Sequence, residues 1–524
     1  GTLIIDKQLS LGSGSFQGDI ILSGNATLDG TIGTLDTNNF ALTITNGTNL
    51  TITGNSTSTI NGGLIGQGTL NMDAPSGTLN LTAQGDFSGT LTLDNGFLYI
   101  LAPTTSPDFD TLAAINVNGG WLELQTDLTT VSLSQSTGTF LNIINNATLT
   151  VDNGTGTILE GIVALGSGND SGTLISTGDL TVKQLDDGAY GTLDASGHTL
   201  TIEGISTGMT SNNRLTLNAN NIVINPANNN TGFGFVNATA TETLQFILNG
   251  SKEDVFDSSL NASKLAVFGT SDTDYVQISD SVLNLAIGTT VENATLVFSR
   301  EPGASAQSYN IKNVSLVNGG NLVINDSTVS FDKWEDFSSN GTVYLSQGLL
   351  IQNTGSTDAT IINSKVDGTN QFGIFNPAGN GTLATNGNLT LAGTGNELED
   401  DTIQSAMTLT LEGSYTTLSG SRLLGQDIVL NPNTDMEGSN LSVMKNTNGD
   451  SANSLSIGKN TTLSDSYINT LKTEISSQST LTLRGSHASI PSELGDIDLT
   501  GGDNALILEG GNQSNFRSYR DNTS

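Results

Sequence analysis

Residues 68–96 read GTLNMDAPSGTLNLTAQGDFSGTLTLDNG. Gly-Thr-Leu opens three phrases there, at Gly68, Gly77 and Gly89, and each phrase alternates apolar and polar residues until Gly, Pro, Asp or Asn breaks it. An alternation of period two puts Leu on one side of an extended strand and Thr or Asn on the other. The opening phrase returns at Gly1, Gly33, Gly172, Gly191 and Gly381. The apolar pairs recur more widely, as Leu42/Ile44, Leu50/Ile52, Leu79/Leu81, Leu91/Leu93, Leu149/Val151, Leu200/Ile202, Leu215/Leu217, Leu389/Leu391, Leu409/Leu411 and Leu481/Leu483. Helical spacing is almost absent, with one weak candidate at Ser466 to Ile475.

The strands are short, and the breaks between them are rich in Asn-Gly, Asp-Gly and Gly-Ser, which supply the positive φ angles of tight corners. All eight prolines fall in such breaks: Pro75, Pro103, Pro107, Pro226, Pro302, Pro377, Pro432 and Pro491. A sandwich would need longer strands and a more aromatic core, and a propeller would need a blade repeat of about 40 to 50 residues. A parallel β-solenoid needs only short strands, sharp corners and a two-residue inward pattern in every turn.

The sequence therefore predicts an all-β, elongated parallel β-solenoid, right-handed as parallel crossovers are, with two or three strands per turn. It covers 1–509. A wider, loop-richer section is expected at about 209–337, where Phe233, Phe235, Phe246, Phe256, Phe268, Phe298, Phe331 and Phe337 gather. A polar tail, 510–524, follows.

Composition fits a thin core. The 524 residues are 35% hydrophobic and 5% aromatic, poor for a compact enzyme of this length, and at 13% charged they are not a charged disordered polymer. Sixteen Lys and Arg oppose 51 Asp and Glu, a net charge of −35, so no basic groove for nucleic acid can be built and anionic membranes repel the chain. There is no Cys, which excludes disulfides and thiolate metal sites. No apolar run approaches the roughly 20 residues of a spanning helix. The first residue is Gly, as after removal of a leader. These features point to an exported protein, extracellular or at a cell surface, without membrane insertion.

Stretches such as Leu215-Thr-Leu-Asn-Ala-Asn-Asn-Ile-Val-Ile224, with the Gly-Thr-Leu phrases, resemble the passenger regions of autotransporters and filamentous-haemagglutinin-like adhesins. The resemblance implies a β-helical stalk secreted to a bacterial surface. No outer-membrane barrel is read in the sequence, so it implies the exposed portion of such a protein.

The ends carry the assembly expectation. A solenoid edge is a row of unpaired backbone groups that invites another chain. Gly1, Thr2, Leu3, Ile4 and Ile5 begin directly as a strand, and Arg517 and Arg520 place positive charge in the tail of an acidic chain. The reading is a non-enzymatic structural subunit of an extracellular fibre or surface layer, joined head-to-tail with copies of itself, or an adhesin stalk facing surface glycans. The alternative is a carbohydrate-active β-helix, either a lyase or glycosidase or a phage spike.

Other motifs give less. The sequons at Asn25, Asn46, Asn49, Asn80, Asn146, Asn237, Asn293, Asn340 and Asn388 arise readily in a chain this rich in Asn, Ser and Thr. Thr43/Thr45, Thr51/Thr53 and Thr90/Thr92 resemble ice-binding pairs, but their irregular spacing suits the solvent side of ordinary strands. Calcium ligands would have to come from Gly166 to Asp170 or Glu397 to Asp401, and neither matches a calcium-loop pattern, so no cofactor is expected. A glycosidase needs two carboxylates across a cleft, whereas Asp186 and Asp187 are sequence neighbours. His198 and His487 lie in no catalytic phrase. Trp121 and Trp334 could each stack on a sugar, though a single Trp more often packs.

Overall fold

A computed structural model of the chain describes all residues other than 1–2, 6–13, 16–19, 23–25, 29–34, 37–40, 83–84, 102–110, 167–169, 187–190, 205–214, 227–230, 235, 272, 301–307, 326, 337–341, 347–348, 353–358, 363–364, 367–381, 386–387, 393–395, 400, 413, 433–434, 486–493, 500–502, 511–517 and 520–524. It is all-β, without helix among these residues, and every strand pairing is parallel between stacked turns of a β-solenoid. The helix candidate is instead two strands, Tyr467–Ile468 and Lys472–Ile475. The chain divides into two compact units, Gly1–Ile247 with Phe256–Ala262, and Leu248–Val255 with Ser263–Ser524.

The second unit shows the repeat plainly. Thr402–Ser405, Thr408–Leu411 and Tyr415–Ser419 form one turn, and Arg422–Leu424, Asp427–Leu430 and Met436–Ser439 form the next. Each strand pairs with its counterpart one turn on, so three sheets run along the stack. In the first unit Leu70, Leu91, Ile115 and Leu133 lie in one column, so successive turns take 21, 24 and 18 residues. Here one long strand can serve two sheets. Thr69–Leu81 pairs with Asn49–Ile52 through one half and Thr57–Ile60 through the other, and Pro75 sits in the register shift between them. A bulge needs no ladder N–H there, so proline is accommodated.

All ten apolar pairs named from the sequence point inward, and none of their residues is more than 2% exposed. Burying a Leu or Ile side chain is worth about 1.5–3 kcal/mol. A core only two side chains deep per strand therefore gains its stability turn by turn.

The recurring Gly-Thr-Leu now has a cause. A Cβ on Gly89 would lie 2.0 Å from the carbonyl oxygen of Gly68, one turn back, and the same holds for Gly191 over Gly172. That carbonyl accepts from the following threonine, Thr90 N–H to Gly68 O at 3.0 Å and Thr192 N–H to Gly172 O at 2.9 Å. Glycine is needed because the neighbouring turn comes so close, threonine continues the ladder, and leucine enters the core.

A second corner device is less conspicuous in the sequence. Asp257, Asp280, Gly420 and Asp465 have φ of 48°, 45°, 63° and 49°, and each precedes a serine. Ser258, Ser281, Ser421 and Ser466 each donate to the carbonyl two residues back, at 2.7–3.0 Å. Ser421 Oγ also accepts the Asp401 N–H, and Ser466 Oγ the Leu441 N–H, both at 3.1 Å. One hydroxyl thus closes its own corner and the corner of the preceding turn.

One core column turns polar. Ile52, Met72, Leu93 and Val117 are followed by Gln135, which is only 4% exposed. Its Nε2 donates to Ile162 O at 2.9 Å and to Thr139 O at 3.3 Å, beside the register shift between Leu159 and Ile162. The amide supplies donors where the ladder is broken.

Two stability predictions follow from this packing. Gly89→Ala forces the Gly68 turn away and should cost about 1–3 kcal/mol, read as lost hydrogen-exchange protection at Thr90 and its neighbours. Ser421→Ala or Gln135→Leu should each cost about 1–3 kcal/mol by stripping buried backbone groups of their partners. Protection falling first at Asp401 or Ile162 respectively would confirm it.

Candidate functional site

Of the residues assigned to assembly, Gly1, Thr2, Arg517 and Arg520 lie outside the described set. Leu3, Ile4 and Ile5 form a strand paired in parallel with Ile20–Leu22 and, among the described residues, with no second strand. Within the expected polar tail, Ser518–Tyr519 pairs with Asp496 and Ile497. The last strand of its sheet, Ala505–Gly510, pairs along its whole length with Thr480–Gly485. Leu508 stands over Leu483 at an inward position, yet it is 45% exposed where Leu483 is 2%.

The first unit presents a different feature on the outer side of one sheet. Phe97, Trp121, Phe140 and Ile162 form one column on successive turns. The Trp121 and Phe140 rings stack 4.3 Å apart with planes 5° from parallel. Phe97 is 39% exposed. Two positions further along each strand runs a polar column, Asn80, Tyr99, Glu123 and Asn142. Glu123 accepts from Asn142 Nδ2 at 3.2 Å and Gln125 Nε2 at 2.7 Å. Burial, and then the Glu123 charge, raise the Tyr99 phenol above its ordinary value. Trp121 Nε1 and Asn142 Oδ1 have no hydrogen-bond partner. The side chain of Trp334 lies outside the described set.

Several carboxylates accept hydrogen bonds from a neighbouring turn. Asp127 Oδ1 takes the Thr148 N–H at 2.7 Å, and Asp179 Oδ1 the Thr199 N–H at 2.9 Å. Asp152 Oδ1 takes the Thr177 hydroxyl at 3.0 Å, while Asp94 accepts from both Asn71 and Asn118 at 2.8 Å. The scarce cations also link turns, Lys183 to Glu203 at 2.6 Å, Lys472 to Asp498 at 3.4 Å and Arg484 to Glu509 at 2.9 Å, while Lys472 also pairs with Glu474 on its own strand. Such exposed pairs contribute about 0–1 kcal/mol each.

The weaker motifs resolve individually. Asp186 follows the end of strand Leu180–Leu185, and Asp187 and His487 lie outside the described residues. His198 sits inside strand Thr192–Ile202. Asn396–Glu399 is a strand whose Leu398 is fully buried, and Asp401 is 1% exposed. The Gly166 to Asp170 loop is described only at its two ends. Among the described residues no three His, Asp or Glu are grouped to hold a metal ion, and no helix could cross a membrane. Thr148, Thr173, Thr192 and Thr216 do stand in register on four turns, which their uneven sequence spacing concealed. The adjoining column reads Thr150, Ile175, Asp194 and Asn218, so no double rank of threonines results.

Comparison with protein-family models, with curated proteins and with solved structures gives no match to this chain.

The second unit's core contains a titratable probe. Tyr309 is 1% exposed, packs 4.8 Å from the Phe298 ring, and burial pushes its phenol up to about 12. Between pH 10 and about 12 the folded chain keeps a proton that the unfolded chain has released, so rising pH favours unfolding. Alkaline unfolding of this unit should therefore set in above pH 10 and lose about 2–3 kcal/mol on this account. Tyr309→Phe should reduce that pH dependence in denaturant titrations, and the remainder should fall further in Tyr415→Phe, whose phenol is also raised by burial.

Proposed function

We propose that the protein is a non-catalytic structural solenoid of the cell exterior, serving as a fibre subunit or an adhesin stalk and associating end to end with copies of itself. The observation that carries this reading is the stack of parallel turns itself, in which each strand's backbone ladder continues from turn to turn along one direction. Exposed apolar surface joined to an open strand edge is a template for one more parallel strand. A contact between two different surfaces of this kind repeats without closing, so it builds filaments. The net charge of −35 keeps the flanks of such a polymer apart.

The test is negative-stain microscopy of the whole chain at increasing concentration, beside the variant Leu506→Lys/Leu508→Lys. Wild-type filaments that vanish in the variant, with its circular dichroism unchanged, would support the assignment. Filaments that persist in the variant would remove this edge from the contact, and a wild-type chain that stays single at every concentration would remove the fibre role.

A further inference from the structure

We propose that the outer face carrying Phe97, Trp121 and Phe140 is a binding lane for a neutral polysaccharide. The proposal deepens the adhesive form of the reading above and rests on it.

The first observation is the composition of the lane. Along six turns its two outward columns are Thr57, Thr78, Phe97, Trp121, Phe140 and Ile162, and Thr59, Asn80, Tyr99, Glu123, Asn142 and Ala164. Apolar rings thus run beside hydroxyl, carboxylate and amide groups, with about 4.8 Å from turn to turn. Ligand sites of this composition use apolar surface for contact and a few polar groups for orientation. A sugar has the same division, between C–H faces and hydroxyl edges.

The second observation is charge. In a chain of net charge −35 the two columns carry one carboxylate, Glu123, which is already engaged by two amides, and the exposed Glu160 lies at the end of the lane beside Ile162. The flanking carboxylates, Asp73, Asp94 and Asp127, sit at corners and bulges, tied to Asn95, to Asn71 and Asn118, and to Thr148. An anionic polymer, an anionic membrane or a second copy of the chain would meet repulsion from those rims. A cationic partner would be drawn to the rims instead of the lane. A neutral, hydroxyl-rich polymer loses nothing to the field and can use the lane.

The third observation is incomplete satisfaction. Trp121 Nε1, a donor, and Asn142 Oδ1, an acceptor on a residue 7% exposed, carry no hydrogen-bond partner and lie just beneath the surface of the lane, so a sugar reaches them only as the covering side chains shift. Native structures leave few such groups. One face of the Trp121 ring is taken by Phe140, so the contact surface for a sugar is the exposed Phe97 ring with the ring edges behind it.

The experiment is affinity electrophoresis of the whole chain in gels holding a soluble β-glucan, a mannan, polygalacturonate or no polymer. Retardation by at least one neutral polymer and none by polygalacturonate is expected. Phe97→Ala and Trp121→Phe should weaken retention about tenfold or more. Trp121→Phe preserves a stacked ring, so a loss there with unchanged circular dichroism separates binding from folding. Glu123→Gln, which keeps the side-chain shape, should weaken retention less. Migration unaltered by every neutral polymer, retention unmoved by both aromatic variants, or equal retention on polygalacturonate would each overturn the lane. None of those failures would touch filament formation, so the two readings fall separately.

Discussion

The structure depends on one constraint: each turn must hydrogen-bond, in parallel and at fixed spacing, to the turn before it. Fixed spacing means that every side chain meets the residue at its own position one turn away. Burial, corner closure and charge are then settled column by column. The column Leu70, Leu91, Ile115 and Leu133 stays apolar because any member must fit between two others like it. The corner glycines stay small because the neighbouring turn's carbonyl occupies the space of a side chain. Even polar exceptions obey the rule, since Gln135 enters the core where the ladder slips and donates to Ile162 O and Thr139 O.

The same constraint sorts the surface. Flat sheets present short hydroxyl and amide side chains, which tolerate repetition because like meets like without charge. A column of carboxylates would stack repulsion on repulsion. Some acidic residues sit at corners, where a backbone N–H of another turn needs an acceptor, as Asp127 and Asp179 show, and where Glu474 and Asp498 do meet in register on a sheet, Lys472 lies between them.

Much of the fold was legible in the sequence. The ten apolar pairs are all inward, because period-two alternation in a strand buried on one face permits no other arrangement. The number of strands per turn was not legible. Turns of 18 to 24 residues in one column blur the period, and Thr69–Leu81 spans two sheets without a turn signal strong enough to split it. The corner serines were present in the text as Asp or Gly followed by Ser, but their partners lie about 20 to 25 residues away. Trp121 was noticed as an isolated residue. Its stacking on Phe140 and alignment with Phe97 depend on register, and register is fixed by loop lengths whose conformations no local pattern specifies.

The glycine corners have a consequence for how such a chain changes over generations. At Gly89 the crowding comes from Gly68, and at Gly191 from Gly172, so what each residue may be is dictated by its predecessor in the stack. Point changes there are judged in pairs, whereas copying or excising an entire turn moves both halves of every pair together. Gene-level duplication and loss of whole turns therefore meet less resistance than single substitutions at the corners, and length is the property this architecture can vary most freely.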